Sequence, residues 1–134
     1  MKTKPKRTDF RTEKQVEHAG DELMLSVFGY DPDFFIVRYS QARATQQTPG
    51  IPDRRYYSPR NRMAVWWEAK TVIGRPSAFQ VAFRRICEAC GEAYVIGTDD
   101  ALAEWLIAKG YAERVGAIGL RVIRPPAILR GITG

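Results

Sequence analysis

Apolar positions along the chain recur in two rhythms, one helical and one alternating, and together they lay out most of the elements. Val16, Ala19, Leu23 and Val27 follow one another at helical spacing, which predicts a helix over residues 13–28. Thr12 and Gln15 stand at capping-box spacing at its start, and Gly29 and Pro32 end it. Residues 34–39, FFIVRY, are rich in β-formers and read as a strand. The polar segment 40–50 reads as a loop. Two further runs, 53–58 and 63–70, are separated by Pro59-Arg60-Asn61-Arg62, the pattern of a β-hairpin with a four-residue connection. The second run, MAVWWEAK, is apolar on both faces until Glu68, so it should be a central strand covered on both sides.

Pro76 and Ser77 open a second helix, on which Phe79, Phe83, Ile86 and Cys90 share one face and which Gly91 stops. Residues 93–96 form a short buried strand, and Thr98 caps a third helix that runs through Ala108 to Gly110. The order αβββαβα predicts an α/β fold, a mixed sheet with helices on its faces. It gives a basic arm over 1–12, a folded domain over 13–110 and a C-terminal extension over 111–134. That extension mixes Val, Ile and Leu with Arg, Gly and Pro125-Pro126; it could add a strand, dock on a second subunit or track nucleic acid.

Composition narrows the class. With 134 residues, 45% hydrophobic and 27% charged, the chain fits one soluble globular domain. No apolar stretch approaches the ~20 residues of a membrane span, and the basic start MKTKPKRTDF has no apolar stretch behind it, unlike a secretory signal. Two cysteines do not make a disulfide framework, so a cytoplasmic setting is expected. The net charge of +6 is uneven: residues 1–14 carry six Lys/Arg against two acids, and residues 111–134 carry four Arg against Glu113. Basic ends around a nearly neutral body suit a polyanion partner, although charged termini also serve solubility alone.

The hairpin places chemistry. If Ser58 faces Met63 across a four-residue loop, Asp53 falls directly opposite Glu68. Facing residues project from one side of the sheet with Cβ atoms about 5 Å apart. Alternation puts Lys70 on that same side. A loop of odd length would break the arrangement. Two carboxylates so close repel by about 4 kcal/mol at an effective dielectric near ~20. Such a pair shares a proton, pairs with cations or binds a metal. With oxygen ligands alone the fitting ion is Mg²⁺ or Mn²⁺, which polarises a phosphate and lowers the pKa of an attacking water. Lys70 would orient that water and offset developing charge. A surface ion cluster is the bland reading. Against it, these charges end the most apolar strand in the chain, where they are costly without a purpose.

Other residues carry less. Cys87 and Cys90 have CxxC spacing, but there is no second pair and His18 is the sole histidine, so a zinc site is not expected; Cys90 reads as a small core residue. Trp66 and Trp67 could stack bases, but in an apolar strand both read as core. Arg84 and Arg85 read as a solvated face. Arg43, Arg54, Arg60 and Arg62 surround the proposed site in sequence and are candidates for phosphate contacts. No Walker loop or dinucleotide fingerprint is present, so no nucleotide cofactor is expected.

Taken in order, Gly50-Ile51-Pro52-Asp53, Trp67-Glu68-Ala69-Lys70 and Pro76-Ser77-Ala78-Phe79-Gln80 resemble the signature of the VRR-NUC family, virus-type replication-repair nucleases of the PD-(D/E)XK superfamily. The resemblance continues through Gly91-Glu92-Ala93-Tyr94-Val95-Ile96 and Thr98-Asp99-Asp100-Ala101-Leu102, and covers residues 13–108. It implies a restriction-endonuclease-like core and hydrolysis of DNA phosphodiesters with Mg²⁺ or Mn²⁺. Asp53, Glu68 and the Ala69 backbone carbonyl would bind the metal, Lys70 would be the catalytic lysine, and Gln80 would support the site. Gln80 also fits a capping box with Ser77; the resemblance favours the site. A first-helix acid belongs to the pattern, Glu17 as first choice and Glu13 as second. Family members of this size, from phages and bacteria, resemble homodimeric junction-resolving enzymes, which implies branched DNA as substrate, a homodimer, and a bacterial or phage-infected cytoplasm. The rival expectations are a non-catalytic DNA-binding or assembly module that keeps the fold, and an enzyme acting on RNA.

Overall fold

The computed structural model describes residues 9–39, 50–115 and 119–122. Helix α1 spans Glu13–Phe28 behind the Thr12 cap: the Thr12 hydroxyl accepts from the Gln15 amide, and the Gln15 side chain accepts from the Thr12 amide. Its buried stripe is Val16, Gly20, Asp21, Met24, Val27 and Phe28. The helix is therefore rolled from the expected face, and Ala19 and Leu23 lie at its margin. The cause is Trp67, whose ring lies where a Cβ on Gly20 would fall, 2.1 Å away. Only glycine lets the helix come this close.

Strands β1 (Phe35–Arg38), β2 (Arg54–Ser58), β3 (Met63–Ala69) and β4 (Tyr94–Gly97) form one sheet in the order β1-β2-β3-β4. The first three are antiparallel, and β4 joins β3 in parallel, after a crossover through helix α2 (Ala78–Ala89). Helix α3 (Asp99–Ala108) follows behind its Thr98 cap. A 3-10 turn, Pro59–Asn61, closes the hairpin with Ser58 facing Met63, as expected, and Arg62 takes the left-handed conformation that completes it (φ 52°). Buried Asp31 anchors this turn, accepting from the Ser58 hydroxyl and the Arg60 amide. The αβββαβα order and the mixed sheet match the sequence reading.

Alternation divides the sheet. On one face Tyr56, Met63, Val65, Trp67, Ala69 and Val95 pack against α1 and α3 to form the main core. On the other, Trp66 and Tyr94 receive Phe83 of α2 edge-on. Here two expectations are corrected. Cys87, four residues beyond Phe83, is the buried cysteine, and Cys90 is exposed. Phe79 and Ile86 are exposed too, because the sheet meets the Phe83–Cys87 side of a broader apolar arc. Trp67 is core as expected; Trp66 is on the opposite face, only partly covered, with its indole N–H donating to Glu92.

Strands β5 (Ala112–Val115) and β6 (Gly119–Val122) pair antiparallel as a separate two-stranded sheet, and Ala112 is in the main core. The rest of the extension, the arm before residue 9 and the loop over 40–49 lie outside the described residues. Of the arm's charges, Arg11 pairs with Asp9 and with Asp99 at the start of α3. No helix among the described residues is long and apolar enough to cross a membrane.

Candidate active site

Asp53 lies one residue before β2 and Glu68 near the end of β3, so the hairpin register carries them opposite each other at the edge of the core. Arg54 facing Trp67 is the last pair of that ladder. The Asp53 backbone is pinned from two sides: its carbonyl accepts from the Tyr39 amide at 2.9 Å and from the Arg54 guanidinium at 3.2 Å. Gly50 brings the chain to this point. It takes a φ of +89°, and a Cβ there would fall 2.3 Å from the Phe79 carbonyl oxygen. Gly50-Ile51-Pro52-Asp53 is thereby threaded against the first turn of α2.

The two carboxyls are almost sealed, Asp53 at 5% and Glu68 at 2% exposure. Glu13, in the first turn of α1, reaches the same place from the solvent side. One carboxylate oxygen from each of Glu13, Asp53 and Glu68 lies within 4.8 Å of the others. Lys70 completes the group, its Nζ 3.7 Å from Glu68 and 4.0 Å from Glu13. Among the described residues, Asp53 Oδ2 and Glu68 Oε1 are buried without a hydrogen-bond partner. That is a costly state for carboxylate oxygens. Burial first, then the charge of Asp53 and a hydrogen bond with it, pushes the Glu68 carboxyl up to about 8, with Lys70 pulling the other way and Glu13 adding to the rise. Close acids with orphaned oxygens and no nitrogen or sulfur donor in the group make a fitting seat for a hard divalent cation of the Mg²⁺ or Mn²⁺ type.

The first-helix acids are reversed from expectation. Glu13, not Glu17, joins Asp53 and Glu68. Glu17 is one turn further on, 3.5 Å from Arg54, and burial with the nearby charge of Asp53 raises its pKa. The roll of α1 that seats Gly20 on Trp67 decides this, and no spacing in the sequence reveals it.

Gln80 serves the α2 cap: its side chain accepts from the Ser77 amide at 2.8 Å, and its amide donates to the Ser77 hydroxyl. Ala69 is buried at the end of β3, paired with Gly97. The three described arginines, Arg54, Arg60 and Arg62, do not surround the site. Arg54 is buried on the α1 face, bonded to Asp21 and close to Glu17, and is no free phosphate ligand. Arg60 and Arg62 sit at the hairpin turn, at the far end of β2, about 16 Å from Asp53 at ordinary strand rise. Arg43 lies outside the described residues.

Two features were not anticipated. Asp21, Arg54 and Tyr56 form a buried network beneath the carboxylates, with the Tyr56 hydroxyl donating to Asp21 at 2.7 Å. The alternation that aims Asp53 at the site aims Arg54 at α1, and an acid four residues after Glu17 was the available signal. The buried Tyr94 hydroxyl, on β4 beside Trp66, has no hydrogen-bond partner among the described residues. Burial and the charge of Glu68 push its pKa upward, so it stays protonated. Comparison with protein-family models, with curated proteins and with solved structures finds no match to this chain.

Proposed function

We propose that this chain is a metal-dependent nuclease that hydrolyses phosphodiester bonds in DNA. The observation that carries the reading is the pair of buried, unpartnered oxygens on Asp53 and Glu68, with Glu13 and Lys70 closing the group. Three acids crowded beside one lysine are poorly stable as a structural cluster and well suited to a divalent cation. A restriction-endonuclease-like core is part of the same proposal, supported by the order and pairing of β1 to β4 and by the acid that the first helix contributes.

Asp53, Glu68 and Glu13 would hold the cation. Bound there, it would polarise the scissile phosphate and make a coordinated water more acidic. Asp53 and Glu68 would hold it from two neighbouring strands, and Glu13 would close the site from the solvent side. The Lys70 ammonium donates to the attacking water or to a non-bridging phosphate oxygen, holding it in line and offsetting charge as it builds. The attacking water gives up a proton to solvent as its oxygen bonds to phosphorus, the bond to the leaving sugar oxygen breaks, and that oxygen takes a proton from solvent. Branched DNA as substrate and a homodimeric enzyme follow from the family resemblance alone.

The test uses the full chain with end-labelled four-way-junction and linear DNA in Mg²⁺, Mn²⁺ or EDTA. Cutting is expected only with metal, and it disappears in Asp53→Ala and Lys70→Ala. Salt-sensitive binding with no cutting in either metal overturns the enzyme and leaves a DNA-binding module in its place.

A further inference from the structure

The sheet face that carries Asp53 and Glu68 does not end at the carboxylates. By register, Tyr39 and Phe35 of the β1 segment, Arg55 and Tyr57 of β2, and Trp66 of β3 project from it. Helix α2 takes the β4 side, where Phe83 contacts Trp66 and Tyr94. On the β1 side, aromatic surface stays in solvent: Phe35 is 60% exposed and Tyr57, its cross-strand partner, 38%. Tyr39 stacks on Trp66 with centroids 5.7 Å apart. The Arg55 guanidinium lies over both the Trp66 and Tyr57 rings, 4.6 and 5.2 Å from their centroids, and donates to the Tyr57 hydroxyl.

Exposed rings on adjacent strands are not needed for the core, which lies on the opposite face. Phe35 and Tyr57 form an exposed aromatic patch, and Arg55 ties Tyr57 to Trp66, whose own ring packs against Tyr39, Phe83 and Arg55. The patch is continuous with the carboxylate group, since the Phe35–Tyr57 row lies four residues, or about 13 Å, from Asp53 along β2. A chain with net charge +6 favours an anionic occupant over a basic one, and exposed rings on adjacent strands suit the π-faces of a nucleic acid. Every nucleobase offers a π-face, but only an unpaired base can lay it on a protein ring.

We infer that the exposed Phe35–Tyr57 patch binds unpaired nucleobases of a single strand whose backbone continues to the carboxylate site. The inference rests on the nuclease reading for its direction, since it makes the substrate one with unpaired bases a few nucleotides from the cut. DNA and RNA present the same stacking surface, and separate arms of the test tell them apart.

The measurement is anisotropy of labelled single-stranded DNA and RNA of one sequence, and of the matching blunt DNA duplex, with the full chain in EDTA. The variants are Phe35→Ser, Tyr57→Ser and Tyr57→Phe, with circular dichroism and chain mass recorded for each. The serine variants are expected to bind single strands about tenfold or more weakly. Their duplex affinity should hardly change, and Tyr57→Phe should retain single-strand binding. A tighter DNA arm assigns the patch to DNA, and a tighter RNA arm to RNA. Unchanged single-strand affinity in both serine variants overturns the inference. So does an equal loss on duplex, or a dimer that the serine substitutions split without touching nucleic-acid binding. Cutting in Mg²⁺ or Mn²⁺ is scored separately. A chain that stacks single strands here but cuts nothing sinks the nuclease and spares the patch; a nuclease indifferent to these substitutions does the reverse.

Discussion

Glu68 is the residue on which the most chemistry converges. Its carboxyl, raised from 4.5 to about 8 by burial and by Asp53, keeps its proton at neutral pH while the site holds no cation. A carboxyl raised in the fold contributes stability that is complete below its unfolded value and is lost as pH climbs through the folded one. Melting temperature in EDTA should therefore fall as pH rises from about 5 to about 8.5, and the slope should flatten in Glu68→Gln. Mg²⁺ should restore more of the melting temperature at the alkaline end, because the cation replaces the proton. A melt equally pH-sensitive in Glu68→Gln would show that another group titrates. Glu13 and Glu17 give a second prediction at this scale. Glu13→Gln should weaken Mn²⁺ binding by about 10-fold or more, on the scale of losing a group that tunes a metal site, and Glu17→Gln by clearly less. Calorimetric titration with Mn²⁺ decides it, and the opposite order would return the site acid to Glu17.

Among the elements, the contact between α1 and the β2–β3 hairpin controls the site. It has a close point, Gly20 on Trp67, and a polar clamp, Asp21 with Arg54 and Tyr56. Gly20→Ala forces the helix or the ring to move, an overpacking cost of about 1–3 kcal/mol in urea denaturation. Because Glu13 rides on the same helix, Mn²⁺ affinity should drop with it. A fully stable Gly20→Ala would mean that α1 does not need this approach. Arg54→Met leaves Asp21 buried without its main partner and should cost about 3–5 kcal/mol. Replacing both, as Asp21→Leu with Arg54→Met, should recover part of that loss, and purely additive losses would deny the coupling. The capping boxes, the hairpin and the helix ends are legible in the sequence, since each depends on residues within four or five positions of one another. The buried face of α2 was not, because its apolar arc is wider than the surface available to cover it.

At the scale of the whole molecule, charge and shape act together. The carboxylates occupy one end of a sheet face, and the aromatic patch continues from them toward the hairpin turn. Binding of single-stranded DNA in EDTA should weaken with added salt, with a log–log slope of about −0.7 for each phosphate contacted. Stacking on Phe35 and Tyr57 should persist as the salt-insensitive remainder. Affinity that vanishes at high salt, with no remainder, would assign binding to charge alone.

By itself, the sequence determined the order of elements, the hairpin register and the meeting of Asp53 with Glu68, because period-two alternation and a four-residue turn leave little freedom along the chain. Tertiary structure alone decided which acid of α1 reaches the site and that Arg54 meets Asp21. Those outcomes depend on how far one element rolls or tilts on another. That is set by single contacts such as Gly20 with Trp67, between residues 47 positions apart, which no local spacing encodes.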